Sequence, residues 1–346
     1  MISITTVLYI LLAIFVFGVL IFVHEGGHYL FARLFCVTVR EFSIGMGPKL
    51  LTWKSKKTDI SYSLRLFPIG GFVSMEGEDE SSEDPNAFHK KPVWQRFLIV
   101  CAGAAVNILV GVLITTVLVC TSPALGSTVV AQFDEGAVSE TAGLMVGDEI
   151  VKVDGHRVHI SDELMYEIMR LGVEPVDITV LRDGETVVLS DVQFATITES
   201  GTAFGNPDFY VYREEITPGV LLKHSVFRSG YTVRMIWESL FDLVTGRYSI
   251  DAVSGPVGVT EALTEAAQTS SFNFWYLVSV IAINLGVVNL LPFPALDGGR
   301  LVFLIIEAIR RKPLKPEIEG YINFAGMALL MILMVVIAVK DVIGLF

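Results

Sequence analysis

Charge is scarce in this chain of 346 residues: Asp, Glu, Lys and Arg make up 18% of it, against 52% hydrophobic residues. An ordinary soluble domain carries about 25% charged residues, so that class is excluded. Met1 to Val23 contains no charged side chain at all. Cysteine is scarcer still. Three residues, Cys36, Cys101 and Cys120, give no disulfide framework and read as packing residues. Basic residues are outnumbered, 25 Lys and Arg against 37 Asp and Glu, for a net charge of −12, to which the patch Glu76, Glu78, Asp79, Glu80, Glu83 and Asp84 contributes. With no basic stripe interleaved with aromatics, nucleic acid is excluded as a partner. The first apolar run also lacks a basic segment before it and a small-residue cleavage site after it. It is therefore expected to be a retained helix and not a removable signal peptide.

What the chain has instead is apolar length. Ile4 to Val23, Phe97 to Cys120, Phe274 to Leu291 and Tyr321 to Val339 are uncharged stretches near the ~20 residues needed to cross a hydrocarbon core. The connection after the first carries Arg33, Arg40, Lys49, Lys54, Lys56, Lys57, Arg65, Lys90, Lys91 and Arg96. The connection after the third carries Arg300, Arg310, Arg311, Lys312 and Lys315. The positive-inside rule places both in the cytoplasm. Met1–Ser3, the segment 121–271 and Phe346 are then expected outside.

At the inner end of the first stretch stands His24-Glu25-Gly26-Gly27-His28. Two His four apart leave one face of a helix and can reach one Zn²⁺, while the Glu beside the first can serve as general base. Ionisable groups at membrane depth cost roughly 2.5–3.5 kcal/mol each, so three within one turn call for a compensating function. A catalytic zinc takes three protein ligands. The third candidate is Asp297, in Asn289-Leu290-Leu291-Pro292-Phe293-Pro294-Ala295-Leu296-Asp297-Gly298-Gly299. It lies at the inner end of the third stretch, which runs in the same direction as the first, so the two motifs share a depth. The prolines break helical bonding and the Gly pair permits a turn. Irregular backbone at that depth is tolerated where it lines a cavity.

HExxH in the first span and N-x-x-P-x-P-x-L-D-G-G in the third together resemble the site-2 protease family of intramembrane zinc metalloproteases, in its bacterial RseP/RasP branch. Phe42-Ser43-Ile44-Gly45-Met46-Gly47-Pro48, Phe67-Pro68-Ile69-Gly70-Gly71-Phe72 and Ser254-Gly255-Pro256-Val257 extend the resemblance over nearly the whole chain. It implies His24, His28 and Asp297 as zinc ligands and Glu25 as the catalytic carboxylate. Asn284 and Asn289 match positions near the bound substrate backbone; interhelical hydrogen bonding is the other reading of these two. The implied substrates are single-pass membrane proteins already cut once by another protease, of the anti-sigma-factor type, and signal-peptide remnants. Two positions depart from the pattern. Gly26 replaces an aromatic, at roughly 1 kcal/mol relative to Ala inside a helix, and Ala104 replaces a proline. Neither alters a ligand.

The expected architecture is a polytopic α-helical protein of the bacterial cell membrane, with about four transmembrane helices. A small membrane-dipping β-sheet on the cytoplasmic side and one extracytoplasmic α+β PDZ domain complete it. Its parts are helix one with HExxH over 1–35, the cytoplasmic sheet and loop over 36–92, helix two over 93–121 and the PDZ domain over 122–200. A linker with an amphipathic peripheral helix follows over 201–271, then helix three with its Asp-Gly-Gly motif over 272–312 and helix four over 313–346. The PDZ reading rests on the AGLxxGDxIxxVDG pattern of Ala142 to Gly155, with a helix from Asp162 to Leu171 and strands around a turn at Asp183-Gly184. Such a domain takes extended peptides at a sheet edge; a passive spacer is the plainer alternative. The rival from another class is a catalytically silent PDZ scaffold with a structural metal site. Glu25 argues against it, since metal binding alone needs no general base.

Overall fold

The structure is a computed structural model and describes residues 4–78, 80–199, 202–247 and 253–344. Met1–Ser3 and Phe346, expected outside the membrane, and Asp79 of the acidic patch lie outside the described residues. Along the chain, α1 (Ile4–Leu34) leads into β1 (Val39–Lys54), β2 (Ser61–Met75) and α2 (Val93–Thr121). A β-rich stretch follows, with β3 (Leu125–Phe133), α3 (Val138–Thr141), β4 (Glu149–Val153), β5 (His156–Arg157) and α4 (Ser161–Leu171). It continues through β6 (Val176–Arg182), β7 (Glu185–Val192), β8 (Ala195–Glu199), β9 (Thr202–Asn206) and β10 (Phe209–Glu214). The remainder is helical, comprising α5 (Pro218–Val244), α6 (Pro256–Thr269), α7 (Ser271–Asn289), α8 (Asp297–Arg310) and α9 (Pro316–Gly344). Two compact units result, Met1–Gly111 with Val253–Phe346, and Val112–Ala252.

In the first unit, and running on along α2, four helices are long and apolar enough to cross a membrane: Val7–Leu34, Val93–Thr121, Ser271–Asn289 and Glu317–Asp341. The shortest has 19 residues, about 28 Å at ~1.5 Å per residue, close to the ~30 Å hydrocarbon thickness. Leu8, Phe15, Leu113, Val117, Phe324 and Ile332 are all more than half exposed, as side chains that meet lipid are. The chain is a multi-pass membrane protein. The segment 272–312 holds two helices, α7 and α8, divided by the proline-bearing turn. Cys36 and Cys120 are exposed, contrary to the packing role expected of them. Cys36 turns at φ +55° beyond the end of α1, and Cys120 lies in the last turn of α2.

The hairpin is curled so that each strand pairs twice. Glu41, Phe42, Ser43 and Ile44 face Ser74, Val73, Phe72 and Gly71 on one side. The same four face Ser61, Tyr62, Ser63 and Leu64 on the other, and Trp53 and Lys54 pair beyond those. Bends at Gly45, Gly47 and Gly70, all at φ between +82° and +84°, make this possible. The segment 71–74 is thereby left as one edge. Val39, Phe42, Val73 and Met75 pack with Ala32, Phe88, Ile99, Val100, Leu301 and Leu304 into one apolar core.

The second unit is an antiparallel sheet of strand order β10-β3-β4-β6-β7 with β5 on β4. Val130, Ile150, Val153, Ile178 and Val180 alternate inward to meet Leu164 and Ile168 of α4. Asp154 and Asp183, at φ +46° and +53°, are each followed by a positive-φ glycine, as tight hairpin turns demand. The carboxylate of Asp208 accepts from Val138 N, Ser139 N and Ser139 Oγ at 2.5–3.0 Å and so caps α3. Burial opposes ionisation of Asp148, but two 2.7 Å bonds from Arg182 hold its carboxyl below the usual range. Residues 202–206 and 209–214 are strands and 256–269 a helix, regular structure where a linker is expected. The hairpin β8–β9 packs against α4 at Gly205, where a Cβ would overlap Ile168 O. The amphipathic α5 starts at the N-cap Thr217 with Pro218 as its first residue. It lies along α4 through Arg228–Asp162, Arg170–Asp242 and Arg234–Glu167.

Candidate metal centre

On α1, the buried positions Ala13, Val16, Leu20, His24, Gly27 and His28 recur every three or four residues, so both imidazoles sit on the packed face. The packing is close because two glycines meet. A Cβ on Gly27 would come within 2.5 Å of Ala102 O, and one on Gly103 would run into the His28 ring. Approach of this kind through small residues is how membrane helices pack.

Asp297 is delivered by a turn. Helix α7 ends with Leu290 N bonding to Gly286 O and Val287 O, and Phe293 N then donates to Leu291 O at 2.6 Å. Ala295 adopts φ +72°, and its N–H donates to Asn323 Oδ1 of α9 at 3.3 Å. A Cβ on Gly298 would overlap the carbonyls of Leu290 and Leu291, and one on Gly299 would overlap that of Phe293. The glycine pair is therefore what lets the turn fold over the start of α8. Asp297 occupies the first residue of that helix, where a carboxylate also suits the helix dipole.

The three side chains converge. His24 Nε2 and His28 Nε2 lie 3.2 and 3.3 Å from Asp297 Oδ2, and 3.3 Å from each other. A tetrahedral ion with bonds of ~2.0–2.1 Å separates its ligand atoms by roughly 3.3 Å, so the triangle has the edge length zinc requires. His28 Nδ1 meets Ile99 O at 2.9 Å. A carbonyl only accepts, so the proton is on Nδ1 and the lone pair of Nε2 faces inward. Asp297 Oδ2 is buried and makes no well-formed hydrogen bond among the described residues. An oxygen aimed at the point the two nitrogens face, and bonded to neither, is what a ligand atom looks like, and the residues fit zinc.

Glu25 is partly buried and within electrostatic reach of His24, His28 and Asp297. Asn284 is exposed on α7, with no hydrogen-bond partner among the described residues. Asn289 Nδ2 donates to Leu285 O of its own helix at 2.9 Å. Neither amide bonds to the triad. The structure adds residues that sequence reasoning did not single out. Asn107 sits beside His24 at 3.3 Å, Gly71 stands against Glu25, and Asn323 anchors the turn. A signal for Asn323 existed, since a carboxamide in an otherwise apolar span is costly unless it bonds something.

Beside α8, Glu78, His89, Arg96, Arg300, Glu307 and Asn323 line a cavity of about 300 Å³. Arg96–Glu307 and Arg300–Glu78 ion pairs cross it.

A family model described as peptidase family M50 matches residues 12–333. A Clostridium acetobutylicum protein provisionally named a zinc metalloprotease is 34% identical over 334 residues, covering 96% of this chain and 97% of the relative. The regulator of sigma-W protease RasP of Bacillus subtilis is 31% identical over 422 aligned positions, covering 96% and 98%. The zinc metalloprotease RasP of Bacillus licheniformis is 30% identical over 426, again covering 96% and 98%. The last two alignments run longer than this chain, so those relatives carry additional sequence.

Proposed function

The chain belongs to peptidase family M50 and is a zinc metalloprotease, and from that premise we propose that it cleaves peptide bonds inside membrane-spanning segments of single-pass proteins. His24, His28 and Asp297 hold the zinc in this reading, and Glu25 is the general base. The observation that carries it is the triangle of buried donor atoms built from two apolar helices and a proline-bearing turn. Bound there, zinc supplies Lewis acidity toward a carbonyl and toward water.

The protein's own groups do the rest. Glu25 takes the proton of the attacking water and passes it to the leaving amine. The edge segment 71–74 runs past Glu25 at Gly71, and an extended substrate can add to it as a further strand, exposing a carbonyl that a helix would hide. Asn284, free and exposed on an apolar helix, pairs with the substrate backbone. The charged cavity beside α8 brings water to this depth.

The positive-inside rule sets the orientation, with the connections bearing Arg33 to Arg96 and Arg300 to Lys315 in the cytoplasm. The β-rich unit is read as an extracytoplasmic PDZ domain. Its antiparallel sheet, α4 and the exposed Tyr210 and Tyr212 on the edge strand β10 support a peptide-receiving edge. The name of the Bacillus subtilis relative agrees with substrates of the anti-sigma-factor type.

The test is cleavage of a truncated single-pass reporter in detergent by wild type, by Glu25→Gln and by chelator-treated protein. Activity lost in both controls, by about 10²–10⁴-fold for Glu25→Gln, supports the mechanism, and full activity in Glu25→Gln refutes it. Wild type that binds zinc one to one and cuts no reporter in a panel of helices makes the scaffold the better reading.

A further inference from the structure

Three residues of α2, Ile99, Gly103 and Asn107, recur every four positions and form the wall behind the two histidines. Ile99 O fixes the His28 tautomer at 2.9 Å, and Gly103 leaves room for the His28 ring. Asn107 faces His24, with its amide 3.3 Å from His24 Nδ1. It is fully buried, and as oriented its Nδ2 is toward the imidazole while its Oδ1 meets no donor. A buried carboxamide oxygen without a partner loses its hydration and gains nothing in return, which calls for an account.

Half a turn of the amide supplies it, because the two ends of a carboxamide are distinguished only by the bonds they make. For His24 Nε2 to offer its lone pair to zinc, the proton must sit on Nδ1, and Nδ2 cannot accept it. With the amide turned, Oδ1 accepts Nδ1–H, and Nδ2 takes the position where Oδ1 meets no donor. In the orientation seen here, Nδ2 donates to a bare Nδ1. The proton is then on Nε2, facing Asp297 Oδ2 at 3.2 Å. One side chain thus suits each tautomer of the ligand.

We propose that Asn107 is a positioning residue for the metal centre, whose Oδ1 accepts from His24 Nδ1–H and so holds His24 in the tautomer that binds zinc. This rests on the reading of His24 as a zinc ligand. It differs from His28, whose tautomer is set by a backbone carbonyl, in being open to substitution.

The test is zinc affinity, by competition with a chelator in detergent, for wild type, Asn107→Leu and Asn107→Asp, with the thermal melt of each metal-free protein as the folding control. Asn107→Leu keeps the volume and loses the acceptor, and is expected to bind zinc about 10–100-fold more weakly. Asn107→Asp can only accept, and is expected to bind at least as tightly as wild type. Asn107→Leu with an unchanged melt and zinc affinity within twofold of wild type overturns the proposal. So does Asn107→Asp weakened as much as expected for the Leu variant, since that assigns the role to the N–H end. If Asn107→Leu does not fold, the Asp variant decides alone. Wild type without zinc overturns the metal reading itself, an outcome distinct from either.

Discussion

Gly71 stands against the side chain of Glu25: a Cβ built at position 71 would lie 3.0 Å from Glu25 Cγ and 2.9 Å from Ser43 O. The sheet edge and the proposed general base are thus in contact through the absence of a side chain. Gly71→Ala is expected to displace either Glu25 or the edge strand by a few tenths of an ångström, and a larger residue by more. Misplacement on the ångström scale costs up to about 10²-fold in rate. Reporter cleavage should therefore fall about tenfold in Gly71→Ala and further in Gly71→Val, with zinc content unchanged. Equal loss of zinc would place the damage elsewhere.

Gly103 gives the complementary case. A methyl there runs into the imidazole of His28 and not into Glu25. Gly103→Ala should lower zinc affinity tenfold or more and lower activity in the same proportion, and chelator titration separates it from Gly71→Ala.

The α4–α5 seam is held by charge. Glu167 is fully buried, and burial raises its carboxyl pKa in opposition to the pull of Arg234. Arg234→Met strands that carboxylate and is expected to cost about 2 kcal/mol. That is less than the ~3–5 of a fully buried pair, because the arginine side chain is 32% exposed. Adding Glu167→Leu should recover most of the loss, and a double-mutant cycle on thermal unfolding measures it.

His224 on α5 is fully buried, and neither ring nitrogen has a well-formed hydrogen bond among the described residues. Burial lowers its pKa below the ordinary value, outweighing Glu214 at 3.5 Å. The folded state then holds a neutral ring, while the unfolded chain takes up a proton below about pH 6.5. The stability contributed is present above that pH and is lost as pH falls through it. Protection factors of α5 amides, which remove the base-catalysed intrinsic rate, should be lower at pH 5.5 than at pH 7.5 by a margin that His224→Leu abolishes.

The parts of this molecule written in local patterns were legible in the sequence. The apolar runs fall on α1, α2, α7 and α9, the third overrunning the end of α7 by Leu290 and Leu291, because length and lack of charge leave few alternatives. The Asp183-Gly184 turn falls between β6 and β7 because only such residues enter left-handed turns cheaply. His24, His28 and Asp297 were nameable from spacing and from a resemblance, and the structure brings them to 3.2–3.3 Å. What stayed hidden depends on which helix faces which. Asn107, Gly71 and Asn323 act on residues far away in the chain, and no periodicity encodes a partner on another element. Of the two strands at 202–214, Thr202–Asn206 gave little warning, since it holds Gly205 and Asn206, whereas Phe209-Tyr210-Val211-Tyr212 did carry a strand signal.

The histidines stand on α1, and Asp297 and the Asn323 that steadies its turn on α8 and α9, so the histidines are synthesised well before the carboxylate. At ~5–20 residues per second, the interval between them is on the order of tens of seconds of synthesis. A nascent chain therefore enters the membrane without the proposed acidic ligand and, on that reading, stays unable to cut while α2 and α7 are inserted. On the proposed reading, proteolytic competence arrives only after Asp297 has been made, so a ribosome that stalls before it leaves behind an inert fragment and not an unregulated protease.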